Sequence, residues 1–140
     1  MGEINFFTES IEFTLPHPEA IINWILKTIK SEEGFCESLN IIFCDDAYLI
    51  ELNRQYLQHD TFTDIITFDH SEGNAIEGDI FISIERVQEN AQKFEVTFEN
   101  ELHRVIIHGV LHLLGYGDKS PAEKQQMRAL EDQYLSLLIV

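Results

Sequence analysis

The sequence predicts an α/β domain of α+β-like character: a small mixed β-sheet of about four to five strands covered by about five helices, with a metal site at the C-terminal end of a central helix. Three observations carry this. Short apolar runs bounded by polar punctuation alternate with longer segments of helical period. The gap between two of the strand-like runs, Thr63 to Phe68 and Asp79 to Ser83, is too short for a helical crossover, so they should pair antiparallel, while the longer link from the preceding strand permits a parallel neighbour. Beyond Ser83 the chain reads as three helices, the middle one apolar nearly all round.

Taken in order, strands are expected over Ile4 to Thr8 and over Ser10 to Thr14, where Ile11, Phe13 and Leu15 alternate with polar residues. Pro18 suits the first turn of a helix reaching about Ser31, with Ile21, Ile22, Ile25, Leu26 and Ile29 at helical spacing. Ser38 to Cys44 reads as a strand, and Asp45 as the N-cap of a helix through Gln58. After the pair of strands come helices over Ile84 to Lys93, Phe98 to Leu114 and Pro121 to Leu138, the last capped by Ser120.

The 140 residues fit one domain, 1–140, and no repeat or linker divides them. No apolar run approaches the ~20 residues of a membrane span, and the start has no basic segment followed by a long apolar one, so a cytoplasmic protein without an export signal is expected. Cys36 and Cys44 lack metal-motif spacing and read as buried thiols. The net charge of −16, from 25 acidic and 9 basic residues, argues against a broadly positive nucleic-acid surface. Six of those nine, Arg86, Lys93, Arg104, Lys119, Lys124 and Arg128, fall after position 80, which leaves room for a local basic rim.

The chemistry concentrates in His108-Gly-Val-Leu-His112-Leu-Leu-Gly115-Tyr-Gly-Asp118. Two histidines four apart share one helix face, so both imidazoles can reach one cation. Gly115 can end the helix in a left-handed conformation, and the following residues can swing Asp118 back toward the pair. Two imidazoles and a carboxylate leave a coordination position open, as in catalytic zinc sites. An isolated His-x-x-x-His can also be a pair of hydrogen-bonded core histidines. The spacing through the glycine to a third ligand is that of long zinc-protease motifs, but the glutamate that serves those enzymes as general base is replaced here by Gly109, which disfavours a metallopeptidase.

These residues resemble the YbeY family, bacterial metal-dependent endoribonucleases of ribosomal RNA maturation. In the family signature His-Gly-x-Leu-His-Leu-x-Gly-Tyr-Asp-His, the positions His108, Gly109, Leu111, His112, Leu113, Gly115 and Tyr116 match. Asn53, Tyr56, Asp60, Thr63-Asp64-Ile65 and Phe68 resemble the central segment Asn-x-x-Tyr-Arg-x-Lys-Asp-x-Pro-Thr-Asp-Val-Leu-Ser-Phe, and Gly78-Asp79-Ile80 resembles its Leu-Gly-Asp-Ile strand. The resemblance implies a zinc ion, one per chain, held by His108, His112 and Asp118, with Asp118 standing where the family has its third histidine and Gly117 where it has an aspartate. It also implies a single-strand-specific endoribonuclease that matures the end of small-subunit ribosomal RNA and serves ribosome quality control. The expected partners are that RNA and the small ribosomal subunit, met through a ribosomal protein, with no membrane and no DNA.

Two further departures concern phosphate contact. The family arginine aligns on Leu57 and the family lysine on His59, which leaves Arg54 and His59 as candidates, each with a surface-residue alternative. Lys124 and Arg128 could add positive rim near Asp118 or pair with Glu123, Glu131 or Asp132. The rival functions are a ribosome-assembly factor with a structural metal, made respectable by Leu57, and the metallopeptidase.

Overall fold

The computed structural model describes residues 2–57 and 63–140. The elements run β1 (Glu3–Glu9), α1 (Pro18–Ser31), β2 (Phe35–Cys44), α2 (Asp46–Leu57), β3 (Ile65–Asp69), β4 (Ala75–Ser83), α3 (Ile84–Lys93), α4 (Phe98–Leu113) and α5 (Pro121–Leu135). Among the described residues the strands form one sheet in the order β1-β2-β4-β3. β1 and β4 both run parallel to β2, and β3 runs antiparallel to β4, so the sheet is mixed as expected.

Two expectations need correction. Ser10 to Thr14 forms no strand. Ser10 turns the chain in a left-handed conformation (φ 64°), and the extended arm beyond it buries apolar side chains without backbone pairing. Phe13 packs edge-on to Phe43 at a centroid distance of 5.0 Å and against Phe98 at 6.0 Å, so the alternation reflects packing rather than a ladder. β2 has parallel neighbours on both sides, β1 and β4, and β3 lies at the sheet edge beside β4, not beside β2. The tight β3–β4 connection, closed by the Glu72–Ala75 bridge around Gly73 (φ 59°), holds β3 beside β4 and away from β2.

The two faces of the sheet are covered differently. Leu39, Ile41 and Phe43 of β2 with Ile76, Ile80 and Ile82 of β4 meet Ile21, Ile25 and Ile29 of α1 and the apolar side of α4 in the main core. A smaller cluster of Cys44, Leu49 and Ile66, with Tyr48, Leu52, Phe68 and Phe81 against it, lies under α2. Cys36 and Cys44 are buried and free, and burial pushes the Cys44 thiol up to about 12.

Four of the five helix starts are fixed by side chains, while α1 begins at Pro18 without a side-chain cap. Asp45 accepts from the Tyr48 amide at 2.8 Å, Ser83 from Arg86, Thr97 from Asn100, and Ser120 forms a reciprocal capping box with Glu123. The indole of Trp24 on α1 donates to the Tyr134 carbonyl on α5 at 2.7 Å, tying the two ends of the chain together.

α4 lies close to the β3–β4 edge because two glycines face each other's surroundings without side chains. A Cβ on Gly109 would sit 2.9 Å from Ile65 Cδ1 and 3.0 Å from Ile80 Cδ1, and one on Gly78 would sit 2.6 Å from the Phe68 carbonyl oxygen. Among the described residues no helix is long and apolar enough to cross a membrane.

Two outcomes follow. Gly78→Ala should cost about 1–3 kcal/mol, read from the urea midpoint, because the clash is with backbone that cannot turn aside. Buried His103, edge-on to Trp24 at 6.2 Å, has its pKa held below the ordinary 6.5 by burial, with Glu99 opposing. The unfolded chain therefore takes up a proton below about pH 6.5 that the folded chain resists, and stability falls on acidification through that range. In His103→Gln this part of the fall should be missing from a series of urea titrations.

Candidate metal centre

The end of α4 is built to turn sharply. The Gly115 amide donates to the His112 carbonyl and the Tyr116 amide to the Leu111 carbonyl, a Schellman arrangement with Gly115 at φ 105°. The chain then runs through Gly117 and Asp118 to the capping box that starts α5. Glu123 accepts from the amides of Lys119 and Ser120, and a Cβ on Gly117 would meet the Glu123 carboxylate at 2.6 Å. A seven-residue connection with both ends fixed therefore delivers Asp118 to the histidines.

His108 Nε2 and His112 Nε2 are 2.9 Å apart, and Asp118 Oδ2 lies 3.3 Å from each. In a tetrahedral zinc site with bonds near 2.0–2.1 Å, neighbouring ligand atoms are about 3.3 Å apart, so the two edges to Asp118 match and the edge between the histidines is shorter. The other ring nitrogens are committed. His112 Nδ1 donates to the Tyr116 carbonyl at 2.9 Å, and His108 Nδ1 donates to Glu131 Oε2 at 2.6 Å. Each neutral ring then presents its Nε2 lone pair to the other and to a carboxylate oxygen. Three electron-rich atoms in that arrangement call for a proton or a cation between them, and among the described residues this is the cluster that could hold a metal ion.

Surrounding charges favour the cation. Burial works against a charged His108, but the hydrogen bond it donates to Glu131 and the charges of Glu131, Asp118 and Asp64 outweigh it, and its pKa is raised. Glu131 is itself buried and receives Arg104 Nη1 at 2.9 Å, while Arg104 Nη2 reaches Asp132 at 2.7 Å. Burial pushes the half-buried Asp64 up, partly offset by His108.

The triad opens into two clefts. One, of about 280 Å³, is lined by Thr63 to Thr67 together with His108, His112 and Asp118. The other, of about 360 Å³, adds Phe94, Arg104, Lys124, Arg128 and Glu131 to Asp64, His108 and Asp118. The site is thus reachable from solvent, which a catalytic centre requires.

Arg54 stands on the exposed side of α2, 3.7 Å from Glu51, and lines neither of these clefts. His59 lies outside the described residues. Lys124 and Arg128 line the larger cleft, and among the described residues neither forms an ion pair with Glu123, Glu131 or Asp132; Glu131 and Asp132 pair with Arg104 instead. Sequence reasoning missed Glu131, Arg104 and Asp64 as parts of the site. A signal existed for two of them. Arg104, His108 and His112 recur every fourth residue on α4, and Glu131 stands between Met127 and Tyr134 on the buried side of α5.

Gly109 explains why the protease glutamate is absent. Its position faces Ile65 and Ile80 rather than the triad, so a carboxylate there would be driven into the sheet.

The profile of a family described as Endoribonuclease YbeY matches residues 3–138. An Endoribonuclease YbeY of Christiangramia forsetii is 50% identical over 139 residues, covering 99% of this chain and 96% of that protein. One of Flavobacterium psychrophilum is 54% identical over 134 residues, covering 96% of each. The solution structure of a Thermotoga maritima protein superposes with a TM-score of 0.69 at 28% identity, over 96% of this chain and 88% of that one.

Replacing Glu131 should weaken the centre without removing a ligand. Metal affinity in Glu131→Ala is expected to fall about 10–100-fold in a chelator competition titration, because His108 loses the acceptor that fixes its tautomer.

Proposed function

The chain belongs to the YbeY endoribonuclease family, and from that premise we propose that it is a zinc-dependent, single-strand-specific endoribonuclease that matures the end of small-subunit ribosomal RNA in the cytoplasm. The observation that carries this reading is the convergence of His108 Nε2, His112 Nε2 and Asp118 Oδ2 with both Nδ1 atoms already committed. This donor set suits one zinc ion per chain, and an aspartate in the third position adds a negative charge. When bound, zinc supplies the Lewis acid that offsets charge developing on the scissile phosphodiester.

The residues of the chain prepare that chemistry. Glu131 and the Tyr116 carbonyl hold the two rings in one tautomer and one orientation, so no reorganisation is needed as charge develops. Arg104 offsets the buried charge of Glu131 and keeps its carboxylate aimed at His108. The Thr63–Thr67 cleft gives a strand access to the triad from the sheet edge. Arg54 and His59 remain the candidates for phosphate contact. The net charge of −16 disfavours capture of free RNA, so docking on the small ribosomal subunit through a ribosomal protein is part of the proposal.

The test compares wild type with His112→Ala and Asp118→Ala for metal content and for cleavage of single-stranded RNA. Both variants should lose near-stoichiometric zinc and at least about 100-fold in cleavage rate. Cleavage that persists in metal-free protein would sink the mechanism. Intact metal with no RNA cleavage, in a protein that still co-sediments with small subunits, would leave the assembly-factor reading.

A further inference from the structure

We propose that Lys124 and Arg128 form a phosphate-binding subsite for the RNA strand beside the scissile bond, with Phe94 as the surface on which a neighbouring base stacks. The inference rests on the nuclease reading of the triad and adds which part of the strand the enzyme grips, and with what.

The two cations are four residues apart on α5, so their Cβ atoms are about 5–6 Å apart on one helix face, a step similar to that between successive phosphates of a strand. Both are exposed, yet both line the cleft that also contains His108 and Asp118. Their obvious partners are engaged elsewhere. Glu131 and Asp132 are held by Arg104, and Glu123 is turned onto the Lys119 and Ser120 amides as part of the capping box. The carboxylate near Arg128 is that of Glu101, which is only 6% exposed and forms no ion pair with it among the described residues. In a chain of net charge −16, Lys124 and Arg128 form no ion pair among the described residues; the cleft they line also carries Asp64, Glu101, Asp118 and Glu131, so the two cations on its α5 rim are where a polyanion can approach the triad.

Phe94 supplies the second half of single-strand recognition. It caps the end of α3, is 54% exposed, and lines the same cleft. The ammonium of Lys93 stands 5.9 Å from its ring centroid. Cations that follow a backbone next to an exposed aromatic face make the combination by which proteins hold unpaired strands, because an unstacked base has a free π-face and a duplex does not. The subsite therefore selects single-stranded RNA and sets its register on the metal.

The test measures kcat and KM of the zinc-loaded full chain on a short single-stranded RNA, from about 50 to 200 mM salt. Lys124→Gln/Arg128→Gln should raise KM about tenfold at the low end with kcat unchanged. The plot of log KM against log salt should be shallower by about 1.4, or about 0.7 per lost phosphate contact. Lys124→Arg, which keeps the charge, should leave KM as in wild type, and Phe94→Ala should raise KM while leaving the salt slope as in wild type. Lys27→Gln/Lys30→Gln on α1 removes the same charge outside the cleft and is the control. Equal KM changes in the two double variants, or none in either, would overturn the subsite while wild-type cleavage keeps the nuclease reading. No cleavage of RNA by zinc-loaded wild type, either of the short strand or with small subunits present, would overturn both.

Discussion

The site depends on how closely α4 can approach the β3–β4 edge. Gly109 and Gly78 remove the side chains that would hold helix and sheet apart: a Cβ on Gly109 would be 2.9 Å from Ile65 Cδ1, and one on Gly78 would be 3.0 Å from Leu113 Cδ2 of α4. That approach brings the Thr63–Thr67 segment alongside His108 and His112, so a strand edge becomes one wall of the metal cleft. It also explains how a motif with protease spacing can lack the protease base. The residue after the first histidine is used for packing and is not available for chemistry.

Around this contact the polar groups are arranged in series. Asp132 and Glu131 hold Arg104, Glu131 holds His108, and His108 with His112 and Asp118 forms the triad. On the other side Glu32 accepts from Tyr116 at 2.5 Å and also from Tyr134, and the Tyr116 carbonyl orients His112. Each imidazole is therefore fixed by a different helix: His108 by α5, and His112 by a turn that α1 steadies. Buried charges arranged this way are stable because every one of them has a partner, and removing a member exposes its neighbours to the full cost of desolvation.

Much of this was legible in the sequence. Helix periods gave all five helices, proline and serine marked where α1 and α5 begin, and the ligand spacing with Gly115 located the triad. What escaped was decided by tertiary context. The Ser10–Thr14 arm has the period of a strand because one side of an extended chain packs on the sheet, and no local signal says that its backbone lacks a partner. The edge position of β3 follows from its tight connection to β4 combined with the pairing of β2 and β4, two facts far apart in the chain. Glu131 and Arg104 looked like surface charges because a single sequence does not show that a distant histidine and a distant acid need them. The charge of Lys124 and Arg128 was visible, but the diversion of their partners to Arg104 was not.

The Trp24–Tyr134 hydrogen bond has an optical consequence. Trp24 is the sole tryptophan of the chain, and its indole N–H ends on the backbone of the helix that carries Glu131. The emission of this one fluorophore is therefore a label-free reporter of whether α5 is seated. Since His103 stands edge-on to the ring at 6.2 Å, quenching by an imidazolium would register protonation of the interior separately from a shift in wavelength on undocking. The protein thus carries its own gauge for the helix on which the geometry of the metal centre rests.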